Sequence, residues 1–134
     1  MNLSFYFNKP KKIDLYEPSK NLYKTLKKRF FKKKKLKIFN RKFEFIKKKY
    51  DSILYLDVLE HIKQDQIEIK NAYKCLKKNG YLIINVPAYN HLYSKFDKDV
   101  GHFKRYEKKD FINLFSFIKN QKIEYKYYDC IGYF

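Results

Sequence analysis

Two short apolar runs, joined by a helix-period segment and a glycine, constrain this chain more than any other feature. The first, Ser52 to Leu56, lies between Asp51 and Asp57; the second is Tyr81 to Val86. Apolar runs of this length without strict alternation read as strands buried on both faces, as in helix-covered parallel sheets. Between them, Asp65 can cap a helix with Glu68 three residues on. Ile69, Ala72, Tyr73 and Leu76 then fall at i, i+3, i+4 and i+7. Asn79-Gly80 supplies the left-handed residue expected to stop that helix. Strand, acidic turn, helix, glycine, strand makes one βαβ unit, for which a right-handed crossover is expected. Ligands of open α/β sheets bind beyond the carboxyl ends of the strands, which is where Asp57 to His61 falls.

Upstream, Leu3 to Phe7 is short and aromatic and ends at Asn8-Lys-Pro10. Ile13 to Glu17 alternates as a strand does, and Pro18 suits the first position of a helix whose stripe is Leu22, Tyr23, Leu26 and Phe30. Lys32 to Lys35 reads as a solvated turn, and Leu36 to Phe39 as the next strand. Downstream, Pro87-Ala-Tyr89 opens a loop that ends in Gly101-His-Phe-Lys-Arg-Tyr106. From Glu107 a helix places Phe111, Leu114, Phe115 and Ile118 at core spacing, and Lys122 to Tyr128 reads as a last strand.

Asp57-Val-Leu-Glu-His-Ile62, the helix after it, and Leu76-Lys-Lys-Asn-Gly-Tyr-Leu-Ile-Ile-Asn-Val-Pro87 resemble, in order and spacing, the fourth strand, following helix and fifth strand of class I S-adenosylmethionine-dependent methyltransferases. The resemblance, from about Ile13 to Tyr128, implies an α/β fold with a Rossmann-like, mostly parallel sheet and helices on both faces. It implies methyl transfer from S-adenosylmethionine to an oxygen, nitrogen or carbon nucleophile of an unidentified acceptor, of small-molecule or lipid or glycan type. Leu15-Tyr-Glu-Pro-Ser19 resembles the element whose acidic residue holds both cofactor ribose hydroxyls, a role that falls to Glu17. An ionised carboxylate is acceptor-only and can serve two hydroxyls at once; the alternative is a carboxylate complementing the dipole of the helix after it. Asn40 stands where the family turns past the adenine, without the usual acidic residue, and Phe43, Phe45 and Ile46 either line the ring or pack the core. Asp57 and the Val58-Leu59 backbone would face the cofactor. His61 either joins them or satisfies local hydrogen bonds. Gly101-His-x-basic-Arg-Tyr resembles a signature on the substrate side, with His102 as a candidate general base or as a loop histidine that orders its segment.

The family's cofactor site begins at a first strand with a glycine-rich turn. The three glycines here, Gly80, Gly101 and Gly132, form no G-x-G. Leu3 to Phe7 lies too close to Ile13 for a parallel crossover. The expectation is therefore one partial domain over residues 1–134, an incomplete fold without the first strand and helix or the final hairpin. Such a chain should be marginally stable, prone to self-association and weak in cofactor binding, or be a non-catalytic remnant.

Composition bears on partners. Lys and Arg number 32 against 14 Asp and Glu, a formal net charge of +18. A balance of this kind suggests nucleic acid or an anionic surface, and the second reading is a basic nucleic-acid-binding module without catalysis. Abundant Lys, Asn, Ile, Tyr and Phe with few Gly, Pro and Ala also fit drift from an AT-rich coding sequence, which is the favoured explanation. Cys75 and Cys130 lie far apart and form no C-x-x-C pair, so neither a disulfide framework nor a metal site is expected. No apolar run approaches the roughly 18 residues of a membrane span, and a cytoplasmic location is the simplest expectation.

Overall fold

The computed structural model describes residues 10–44, 46–119 and 122–127. Leu3 to Phe7, Phe45, Tyr128, Cys130 and Gly132 lie outside the described residues. The chain divides into two compact units, residues 1–43 and 44–134.

In the first unit, β1 (Ile13–Tyr16) pairs in parallel with β2 (Leu36–Phe39), with Ile13 opposite Leu36 and Tyr16 opposite Phe39. The crossover is α1 (Lys20–Phe30). Ser19 rather than Pro18 sets its start: the Ser19 side chain accepts from the Leu22 N–H, an ordinary N-cap, and Pro18 stands outside the helix. Lys32 to Lys35 is exposed turn, as expected. Tyr16 stacks on Phe39, and Phe43 meets Tyr16 edge-on, so Phe43 serves packing.

In the second unit, β3 (Tyr50–Leu56) pairs in parallel with β4 (Leu76–Asn85), and α2 (Asp65–Lys74) makes the crossover. Two of the expected boundaries move. The N-cap is Gln64, without a side-chain cap, because the Asp65 carboxylate is taken up by Tyr106 and Lys104, and Glu68 by the Tyr55 hydroxyl. The helix ends at Lys74 rather than at Gly80, and Leu76 already belongs to β4. The register explains why: Tyr50 faces Leu76 but Ser52 faces Tyr81, so Lys77 to Gly80 bulge out of the strand. Asn79 takes the left-handed conformation (φ 61°), and a Cβ at Gly80 would lie 3.0 Å from Lys77 O and 3.1 Å from Asp51 O. Glycine is needed there for close approach rather than for a helix stop.

β3 is also not buried on both faces. Tyr55 is 5% exposed, whereas Leu54 and Leu56 are each more than two-fifths exposed. Among the described residues β3 pairs with β4 alone, in a two-stranded sheet, and the core forms on the Tyr55 side, from Leu59, Ile69, Ala72, Cys75, Tyr106 and Leu114. After β4 come α3 (Lys95–Asp99) and α4 (Lys108–Leu114), each closed by a capping box, Ser94 with Asp97 and Glu107 with Asp110. Leu114 is buried and Phe111, Phe115 and Ile118 are half-buried, as expected, but the helix ends at Leu114, so Phe115 and Ile118 pack from the turn after it. Residues 122–127 form no strand and are exposed, which corrects the expected last strand; its alternation reflects contacts such as Tyr127 stacked on Tyr89 and Tyr125 against Phe111. Parallel two-stranded sheets with helical crossovers make an incomplete Rossmann-like α/β fold.

Candidate functional site

In the first unit, the carboxyl ends of β1 and β2 bring Glu17 and Asn40 together. The Asn40 side-chain amide donates to the backbone oxygens of Glu17 (2.9 Å) and Pro18 (3.1 Å), and the Glu17 N–H donates to Phe39 O. The Glu17 carboxylate accepts from the Ser19 N–H at 2.8 Å. Both side chains thus already shape the turn into α1: Glu17 spends one acceptor and Asn40 both N–H donors.

In the second unit, the chain leaves β3 through Asp57, which has a left-handed backbone (φ 53°) that a short polar side chain tolerates. Asn85, at the end of β4, holds it, donating to the Asp57 carboxylate at 2.8 Å, while the Asp57 N–H donates to Asn85 O. Leu59–His61 then form a single 3-10 turn. Its side chains divide sharply: Asp57, Val58 and His61 are exposed, whereas Leu59 and Glu60 are buried. Leu59 belongs to the core by its side chain, and its carbonyl accepts from the Ile62 N–H with the Tyr106 hydroxyl 3.2 Å away.

The Gly101–Tyr106 loop is clamped onto this turn. The Phe103 N–H donates to Glu60 O, the Tyr106 N–H to Pro87 O, and the Tyr89 N–H to Tyr106 O. Tyr106, 2% exposed, also sets its hydroxyl between Leu59 O and the Asp65 carboxylate; burial and that carboxylate push its pKa up. A second anchor is Asp97. It accepts two hydrogen bonds from the Arg105 guanidinium, one from the Ser94 backbone and one from the Ser94 hydroxyl, and lies 2.9 Å from His102 Nδ1. The Arg105 guanidinium holds its carboxyl well below the usual carboxylate range. The cations next to His102 in sequence are therefore committed elsewhere, Arg105 to Asp97 and Lys104 to Asp65.

The clamp brings His102 over His61, ring centroids 4.7 Å apart and edge to face. His102 Nε2 lies 3.9 Å from a Glu60 carboxylate oxygen. Glu60 is 1% exposed, burial pushes its pKa up, and its Oε2 has no hydrogen-bond partner among the described residues. Sequence reasoning paired His61 with Asp57 and treated His102 alone; it missed Glu60 as the residue between them. The signal was present in Glu60-His61, but 40 residues separate His61 from Gly101, and only the loop clamp shows that they meet.

These residues border an open cleft of about 1030 Å³ whose lining also runs along β4, from Leu76 through Asn85. Asp57, Glu60, His61 and His102 are on its polar side, and Phe111, Phe115 and Tyr125 contribute an aromatic wall. Among the described residues, no helix is long and apolar enough to cross a membrane. A family model described as a methyltransferase domain matches residues 4–126. No curated protein and no solved structure matches.

Proposed function

Because the chain belongs to the methyltransferase domain family, we propose that it moves a methyl group from S-adenosylmethionine to a small-molecule or lipid-type acceptor held in the cleft of the second unit. The reading of the cofactor is carried by the strand ends of the first unit. Two adjacent parallel strands finish in a carboxylate, Glu17, and an amide oxygen, Asn40, and a ribose diol needs two such acceptors side by side. These residues fit the nucleoside half of the cofactor. For the methionine half, the described glycines, Gly80 and Gly101, belong to no G-x-G turn, so a weak affinity is expected.

When bound, S-adenosylmethionine supplies a methyl group on a sulfonium, already electrophilic. The chain's own work is then mostly positioning. Asp57, fixed by Asn85, and the exposed Val58 turn present backbone and carboxylate at the strand end, with Leu59 anchoring that turn in the core. His61 and His102 border the cleft, and we assign His102 to the acceptor's proton, with Asp97 fixing its ring. The aromatic wall supports an acceptor with an apolar body.

Titration calorimetry with S-adenosylhomocysteine tests the cofactor assignment. Glu17→Ala should weaken binding by about 1.5–3 kcal/mol, the range for a hydrogen bond to a charged group; equal affinity in mutant and parent removes Glu17 from the site. Concentration of positive charge in residues 1–43 keeps the nucleic-acid reading as the competitor. Single-stranded nucleic acid bound with steep salt dependence, with no saturable binding of S-adenosylhomocysteine, would favour it.

A further inference from the structure

Glu60, His61 and His102 converge from two separate stretches of chain, and three features of the convergence go beyond packing. Each offers a nitrogen or carboxylate oxygen, and these three atoms lie within 4.8 Å of one another. His61 Nδ1 sits 3.1 Å from Gly101 O, and His102 Nδ1 sits 2.9 Å from the Asp97 carboxylate. A carbonyl, and a carboxylate held ionised by Arg105, have only lone pairs to offer. In a neutral ring both contacts therefore favour the proton on Nδ1, which leaves Nε2 as the nitrogen with a lone pair. Metal-binding imidazoles are oriented in this way, by a carbonyl or carboxylate on the far nitrogen. Third, Glu60 Oε2 is fully buried beside them, without a partner among the described residues. A buried carboxylate oxygen left unpaired needs an explanation.

We propose that Glu60, His61 and His102 form a divalent transition-metal site, of the class that binds zinc through two imidazoles and one carboxylate. This ligand set suits zinc, cobalt or iron(II) rather than magnesium or calcium, which prefer all-oxygen shells. Tetrahedral zinc, with ligands about 2.1 Å away, needs ligand atoms about 3.4 Å apart. No pair of these atoms, all within 4.8 Å of one another, therefore has to close by more than about 1.4 Å, and His61, at the surface, is free of core packing that would resist a small ring movement. Asp97 is a positioning residue, since it holds the His102 ring without reaching the ion. Three protein ligands leave a coordination position, and the site borders the cleft. On the methyl-transfer reading, a bound ion would occupy the His102 lone pair and would supply Lewis-acid chemistry to an acceptor oxygen in place of the base role given to His102 above; the metal site does not depend on that reading.

The test is calorimetric titration of chelator-treated full-length chain with Zn²⁺. One equivalent bound with micromolar or tighter affinity is expected, and no saturable binding overturns the proposal. Glu60→Gln and His61→Ala should each lose about 100-fold or more, and Asp97→Asn about 10–100-fold, the range for residues behind a metal ligand. His91→Ala, outside the cluster, should leave affinity unchanged. If Glu60→Gln fails to fold by circular dichroism, His61→Ala decides, since that side chain is exposed. Affinity unchanged in folded His61→Ala overturns the site. Co²⁺ in place of Zn²⁺ should give visible absorption without a thiolate charge-transfer band; a thiolate band would assign binding to cysteine instead. Zinc binding with no saturable S-adenosylhomocysteine binding would leave the metal site standing and remove only the methyl-transfer reading.

Discussion

In the first compact unit no described side chain is buried, while in the second seven of the described apolar side chains are. Both units use the same parts, two parallel strands and a covering helix. The strands of the first are four residues long and its helix carries Lys20, Lys24, Lys27, Lys28 and Arg29 on its exposed positions, so a small apolar stripe faces a large charged surface. Residues 1–43 carry 15 Lys and Arg against 2 Asp and Glu, and residues 44–134 carry 17 against 12. Two carboxylates cannot pair fifteen cations. The second unit places carboxylates against cations at several points, including Asp97 with Arg105, Asp65 with Lys104 and Asp51 with Lys77. A strand pair and one helix are a marginal core by themselves. What separates the units is the clamped loop and α4, which close a second layer over α2 and the Leu59 turn.

The sharpest way to break this contrast is hydrogen exchange on the intact chain. Amides of α2 and β3 should exchange about 10³-fold more slowly than those of α1 and β1, because burial sets local opening energies. Equal protection in α1 and α2 would mean that the first unit has a core of its own.

A smaller effect is expected from paired truncations read by urea denaturation. Leu59, 0% exposed, should cost about 3 kcal/mol on substitution by alanine, through lost contacts and a cavity. Leu22, 56% exposed on the apolar stripe of α1, should cost less than about 1 kcal/mol. Similar losses at the two positions would contradict the burial contrast.

The smallest effect is alkaline. Burial, then the neighbouring Glu68 carboxylate, raises the pKa of Tyr55 above its ordinary 10.0, and Cys75 adds in the same direction. A group raised on folding contributes stability fully present below its unfolded value. That stability is lost as pH rises from about 10 toward the folded value. Between pH 9 and 10.5 the second unit should lose about 1 kcal/mol that Tyr55→Phe does not lose, measured as the shift in urea midpoint. The same midpoint shift in Tyr55→Phe and parent would show that Tyr55 does not titrate against its burial.

The sequence alone determined the alternation of strand and helix, because the apolar runs at Ser52 to Leu56 and Tyr81 to Val86 and the stripe between them differ in period. It also determined β2, whose limits match the expectation, and the parallel pairing of β3 with β4, since a helix-length crossover leaves no room for a hairpin. Family likeness was legible there too, in Asp57 to Ile62 and Gly101 to Tyr106. Tertiary structure decided the rest, wherever a local signal had a stronger distant partner. Asp65 and Glu68 read as caps but are drawn to Tyr106, Lys104 and Tyr55, and Gly80 reads as a helix stop but admits the backbone of Asp51. Glu60 reads as one more carboxylate in a turn. Only the bond from Phe103 N–H to Glu60 O, and Asp97 gripping Arg105 and His102, bring an imidazole from 42 residues away to within 3.9 Å of its carboxylate. Periodicity reports which face of an element is buried; it carries no record of which distant side chain the burial brings alongside.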